Sequence, residues 1–222
     1  MFLTIPEGDA YPKELWGREV VALPTAYIGT PRQGEAALAP LRGFGATLAD
    51  NSGTISWCDL QQAFDWLFPA GLRYYWKTNS LGALGREAID TIIEVGRTRS
   101  SPRTGVAIWQ SGAAMSRVAA SATGFGARAL WGINIDAVWS DESEDGIHVD
   151  WTRAVWSKLR PYAGDGQYVN YAALEDQDQL QLAYGANFER LREIKRKYDP
   201  DNMFCVNQNI RPAGMTHQTA SR

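Results

Sequence analysis

"GQYVNYAALEDQDQLQLAYGANFERLREIKRKYDPDNMF", residues 166–204, sets several signals side by side. "QYVNY" is rich in β-forming side chains and reads as a short strand, with Tyr168 and Asn170 on one face and Val169 and Tyr171 on the other. A helix is predicted from about Gln179 to Lys197. On it Phe188, Leu191, Ile194 and Tyr198 form an apolar stripe, while Glu189, Arg190, Arg192, Glu193, Lys195, Arg196 and Lys197 cover the solvent side. Its basic end suits the helix dipole. Pro200 forces the residue before it out of helical geometry, so Asp199 ends the helix.

Upstream, strands and helices alternate. "REVVALPTAYIGT" reads as a strand interrupted by Pro24, and "QGEAALAPLRGFG" as a short helix stopped by Gly43. "SWCDLQQAFDWLF" suggests a helix with Asp59 as N-cap. "LRYYWKTNS" reads as an aromatic strand, with Tyr75 and Lys77 on one face beside Arg73, and Tyr74 and Trp76 on the other. "GREAIDTIIEVGRT" reads as an amphipathic helix through Ala88, Ile89, Ile92 and Ile93, stopped by Gly96. "GVAIWQSGAAMSRV" and "RALWGINIDAVWS" read as two strands able to pair antiparallel without a crossover helix. After the acidic "DESED", "GIHVDWTRAVWSKLRPYA" is a long helix whose apolar face holds Val149, Trp151 or Thr152, Val155 and Leu159. The pattern predicts an α+β fold, an antiparallel-rich sheet with helices packed on one face. Residues 1–165 form one domain, 166–212 a C-terminal segment, and 213–222 a disordered polar tail.

Composition narrows the function classes. Lys and Arg number 22 against 25 Asp and Glu, a net charge of −3, which offers no basic field for a phosphate backbone. Cys58 and Cys205 lie far apart with no CxxC partner, and His148 and His217, both read as surface residues, are too few for an imidazole-rich metal site. No apolar run approaches the roughly 20 residues that span a bilayer, and the N-terminus lacks signal-peptide character, so a cytoplasmic protein with no metal, nucleic-acid or membrane partner is expected.

"YVNY", the run "YGANFERLREIKRKYDPDNMF" and "NQNIRP" together resemble the C-terminal signature of the berberine-bridge-enzyme-like FAD-linked oxidases. "FPAGLRYYWKT" with "AIDTIIE", and "SGAAMSRV" with "ATGFGARA", are similar to the substrate domain of the same family. The resemblance implies FAD as cofactor and an oxidase that takes hydride from an alcohol or amine carbon. Family members also carry a glycine-rich FAD-binding domain. No GxGxxG or flavin-linking motif matches it here, so a truncated chain, inactive in isolation, is expected, with a separate FAD-binding domain or self-association as its partner.

The resemblance assigns Tyr168 to proton removal and Asn170, Asn207 and Asn209 to the flavin. Tyr74 and Tyr75 fall on the strand that lines the substrate pocket, and either is able to face it. The position before the family's Gly-Gly pair is Trp109, with Gln110 beside it, and the second glycine is Ala113. An indole accepts no proton, so Trp109 is expected to be an apolar or stacking wall and Gln110 a hydrogen-bond partner in the shifted register. The alternative function is a cofactor-free binding or interaction module derived from an oxidase. A Tyr168 that is simply core packing would suit that alternative.

Overall fold

A computed structural model describes residues 1–126, 128–164, 166, 168–171, 180–206 and 208–215. The elements run in the order β1 (Phe2–Thr4), β2 (Glu19–Val21), α1 (Pro31–Arg42), α2 (Trp57–Gln62), β3 (Arg73–Leu81), α3 (Arg86–Arg97), β4 (Gly105–Gln110), α4 (Ala114–Arg117), β5 (Trp131–Trp139), α5 (Asp145–Leu159), α6 (Leu180–Tyr184) and α7 (Phe188–Tyr198). The strands form one five-stranded sheet in the order β2-β1-β4-β5-β3, with β1 antiparallel to both β2 and β4. This is the α+β, antiparallel-rich architecture that the alternating pattern predicts. Packing divides the chain into two units: Met1–Tyr75, Glu94–Ala107 and Asp136–Trp151 in the first, Trp76–Ile93, Ile108–Ile135 and Thr152–Arg222 in the second.

In the first unit, β1 and β2 pair through Leu3 and Val20, and Leu3, Ile5 and Leu15 form a small core covered by Met1, Tyr11 and Trp16. The predicted strand through Pro24 shrinks to three residues, because proline withholds the ladder's N–H donor. Arg99 staples this pair to the end of α3. Its side chain is almost wholly buried and donates to the Gly96 carbonyl, to Thr4 Oγ1 at 2.9 Å and to Glu19 Oε1 at 3.0 Å. Gly96 lies inside α3 and does not stop it, since the ring of Phe2 occupies the space a Cβ would need. Ala88, Ile92 and Val95 form the buried stripe, while Ile89 and Ile93 are exposed.

α1 and α2 bury no residue completely and are held by local chemistry. Thr30 and Gln33 form a reciprocal capping box with Pro31 in the first turn. Ser56, not Asp59, caps α2: its Oγ accepts from the Asp59 N–H at 3.1 Å, which places Asp59 in the first turn. This segment leaves Ile28 and Phe44 almost fully exposed.

α5 begins where Asp145 receives the Arg73 guanidinium on both oxygens at 2.5 Å and the Trp139 indole N–H at 2.9 Å. The Arg73 bond, reinforced by the indole, holds that carboxyl below the ordinary aspartate range. His148 is not a surface residue. It is buried and stacked on Trp139, with centroids 4.8 Å apart, at the head of a stripe continued by Thr152, Val155 and Leu159. His217 lies outside the described residues.

In the second unit, the Trp156 indole donates to the Thr78 carbonyl at 2.9 Å and Asn79 donates to the Trp156 carbonyl at 3.2 Å, tying α5 to β3. The predicted helix from 179 to 197 is broken into α6 and α7 by Gly185, whose φ of +54° ends the first piece. Gln179 lies outside the described residues. Asp199 terminates α7 as predicted. Its carboxylate accepts from Lys195 Nζ and from the backbone N–H of Met203 at 2.8 Å and of Phe204 at 3.1 Å, and the Lys195 bond is the main reason it titrates low. The chain then returns along α7, where the Ala213 N–H donates to the Arg192 carbonyl at 3.1 Å.

Candidate active site

Gly166, two positions before Tyr168, takes a φ of +87°, a conformation open to glycine. Residues Val169–Tyr171 then form a 3-10 turn, closed by the Tyr171 N–H on the Tyr168 carbonyl at 3.0 Å, and not the predicted strand. On a strand Tyr168 and Tyr171 would lie on opposite faces. The turn instead brings their rings edge to face with centroids 5.2 Å apart. It also folds Asn170 back, so that its Nδ2 donates to Tyr168 Oη at 2.8 Å. The predicted pairing of Tyr168 with Asn170 therefore survives for a different geometric reason. Tyr171, read as opposite-face packing, joins them.

Trp109 extends this group from the sheet. Its indole lies 5.6 Å from the Tyr171 ring and covers Gly132 on the neighbouring β5, filling the room a Cβ there would take. Gln110 is exposed at the end of β4 and by strand alternation points to the opposite face, so it does not join the group. Phe125 closes the other end with its ring edge-on to Tyr168 at 5.7 Å. Four rings thus stand in sequence, Trp109, Tyr171, Tyr168 and Phe125, with one carboxamide on the phenol between them. Tyr168 remains 40% exposed.

The other predicted residues fall as follows. Tyr75 shares the face of β3 with Arg73, Lys77 and Asn79, whose partners lie on α5. Tyr74 takes the opposite face, packs against Phe68 at 6.3 Å and donates to the Pro69 carbonyl. Both belong to the first unit. Asn209 is half-buried, and its Oδ1 is buried with no hydrogen-bond partner among the described residues. Asn207 lies outside the described residues. A groove of about 400 Å³, lined by Leu191, Ile194, Tyr198, Phe204 and Ile210 with the Lys195–Asp199 pair, contains none of the predicted site residues. No group of His, Cys, Asp and Glu able to hold a metal occurs among the described residues, and no described helix is long and apolar enough to cross a membrane.

Sequence reading missed Phe125, Gly132 and Asn187. "ATGFGARA" was legible as a motif, but nothing in it says that its phenylalanine meets Tyr168. Ala113, the residue in place of a second glycine, adopts φ 51° and ψ −115°, a conformation suited to glycine. Ala113→Gly is therefore expected to stabilise the chain by roughly 1 kcal/mol, reversing the usual Gly-for-Ala penalty, as measured by urea unfolding.

Comparison with known proteins bears on the same residues. The family described as "Berberine and berberine like" matches residues 167–211, from the tyrosine turn through the tail. An FAD-linked oxidoreductase of Dictyostelium discoideum is 27% identical over 198 residues, covering 87% of this chain and 43% of the relative. The uncharacterized FAD-linked oxidoreductase YvdP of Bacillus subtilis is 38% identical over 103 residues, 46% of this chain and 23% of that protein. Among solved structures, BBE-like #28 from Arabidopsis thaliana superposes with a TM-score of 0.67 at 22% identity, covering 84% of this chain and 46% of that one, which shows a shared fold. The chain thus spans less than half the length of these relatives. Residues 167–211, which hold the tyrosine turn and its supporting helix, thus match the berberine-like family segment, and the rest of the chain is similar to FAD-linked oxidoreductases and shares the fold of berberine-bridge-enzyme-like structures.

Proposed function

We propose that this chain supplies the substrate-facing and C-terminal part of an FAD-dependent oxidase acting on an alcohol or amine. The observation that carries this reading is the Asn170 N–H on the oxygen of an accessible phenol, set among four aromatic rings. FAD would supply the acceptor for the hydride of the substrate carbon, with molecular oxygen as the final oxidant. Tyr168 Oη, as its phenolate, takes the proton of the substrate hydroxyl or amine and becomes the neutral phenol. Asn170 donates to that oxygen and meets its negative charge before the proton arrives. Trp109, which accepts no proton, bounds the space as a wall.

The residues present fit a flavin. A buried amide oxygen without a donor costs roughly 1–3 kcal/mol, and Asn209 Oδ1 is such an acceptor, suited to an imide N–H. Asn170 is exposed and offers a second carboxamide. The exposed Met203, Phe204 and Val206 and the neighbouring groove provide an apolar surface for an FAD-binding half, and that half is the partner this reading requires.

The test is a flavin titration of the chain alone and mixed with the FAD-binding half of a relative, followed by fluorescence quenching and visible absorption. Binding in the mixture alone is expected, weakened ~10-fold by Asn170→Ala or Asn209→Ala, the effect of losing one hydrogen bond of about 1.4 kcal/mol. No binding in either sample would sink the oxidase reading in favour of a cofactor-free interaction module.

A further inference from the structure

Residues 118–126 connect α4 to the approach of β5, and a glycine-bearing loop there needs no fixed shape to serve as a link. It is nevertheless clamped from two sides. Asn187, at the end of the turn after Gly185, points its Nδ2 at three carbonyls of the loop: Ala120 at 2.8 Å, Thr123 at 3.0 Å and Gly124 at 3.4 Å. Arg128 donates to the Val118 carbonyl at 3.1 Å, the Phe125 carbonyl at 2.7 Å and Thr123 Oγ1 at 2.8 Å, and its guanidinium lies 6.0 Å from the centre of the Phe125 ring. Gly126 presses so closely on the broken helix that a Cβ would meet the Tyr184 carbonyl oxygen at 2.5 Å. The ring these clamps hold is Phe125, half-buried and edge-on to Tyr168.

We infer that this loop is a wall of the site, with Phe125 as a specificity-determining side chain for a flat, aromatic substrate group and Asn187 and Arg128 as its positioning residues. What the wall does rests on the reading of Tyr168 given above, but its geometry does not. Two separate donors aimed at one loop fix where its single ring stands. A half-exposed ring beside an accessible phenol offers a stacking face next to the proton acceptor. The break at Gly185 gains a purpose too, because it takes Asn187 off the line of α6 and turns it toward the loop carbonyls.

The chain labelled with 3-fluorotyrosine tests this by fluorine NMR, the Tyr168 resonance being assigned with Tyr168→Phe. Asn187→Asp is nearly isosteric but confronts three carbonyls with an acceptor, and Phe125→Leu removes only the ring. Both are expected to move the Tyr168 resonance toward that of free fluorotyrosine while circular dichroism is unchanged. A resonance unmoved in both overturns the inference, and Phe125→Leu decides alone should Asn187→Asp fail to fold. Benzyl alcohol titrated into the same samples is expected to shift the wild-type resonance, with an apparent Kd ~3–10-fold higher in Phe125→Leu. An equal response in both, or none in the wild type, removes the specificity role. Failure of the oxidase reading would show separately, as no flavin binding by the chain alone or mixed with an FAD-binding half, with these signals intact.

Discussion

Tyr168→Phe is expected to lower the turnover of the oxidase proposed above, assembled with an FAD-binding half, by ~10²–10⁴-fold, the range that a positioned acid or base supplies. The ring contacts with Phe125 and Tyr171 need only the phenyl group, so the substitution leaves the aromatic wall standing. KM for an alcohol substrate should accordingly change by less than ~3-fold, since the loss falls on the transition state and not on ground-state packing. The N–H released on Asn170 is exposed and finds water, which keeps the unfolding midpoint close to wild type. Asn170→Ala should give a smaller loss of ~10-fold, because it removes the donor but leaves the phenol. Steady-state kinetics with matched urea curves decide the matter. Turnover within ~3-fold of wild type would make Tyr168 a packing residue and move the base elsewhere.

The elements legible in the sequence are those whose periodicity is long. β3, β5, α3, α5 and α7 each carry enough repeats for an apolar pattern to show, and the order of strands and helices followed from them. What escaped was short or non-local. The five residues of "QYVNY" carry strand propensity, but past a glycine at positive φ the three residues Val169–Tyr171 form a 3-10 turn. Gly185 broke a helix whose flanking pattern was continuous, whereas Gly96 failed to stop one because a ring packed on it. His148 counted as surface by residue type, yet the indole of Trp139 made its burial favourable. At the site, the local pair Tyr168 and Asn170 was readable because a motif carried both. Phe125, Asn187 and Gly132 were not, since each matters through a partner at least 23 positions away in sequence.

The pairing of Trp109 with Gly132 carries the second large prediction. Valine is favoured in strands and glycine is not, so propensity alone says that Gly132→Val should stabilise β5. The indole lying on Gly132 reverses the sign. Trp109 is also held at its other edge by Tyr171, and a displaced indole would have to leave that contact. Gly132→Val is therefore expected to destabilise the chain by ~2–3 kcal/mol, the upper part of the range for inserting methyl groups into occupied space. Trp109→Ala opens that space and is itself destabilising, but in its background the valine should be neutral or stabilising, because it fills the vacated site. The double-mutant cycle should then show a coupling of about 2 kcal/mol or more between the two positions. Additive effects would mean that the indole does not rest on Gly132. The same cycle reports on function: with the tryptophan gone and valine in its seat, the wall beside Tyr171 becomes aliphatic and shallower. Selectivity for flat substrates should fall even where stability is restored, because the ring face and not the filled volume is what Trp109 presents to the site.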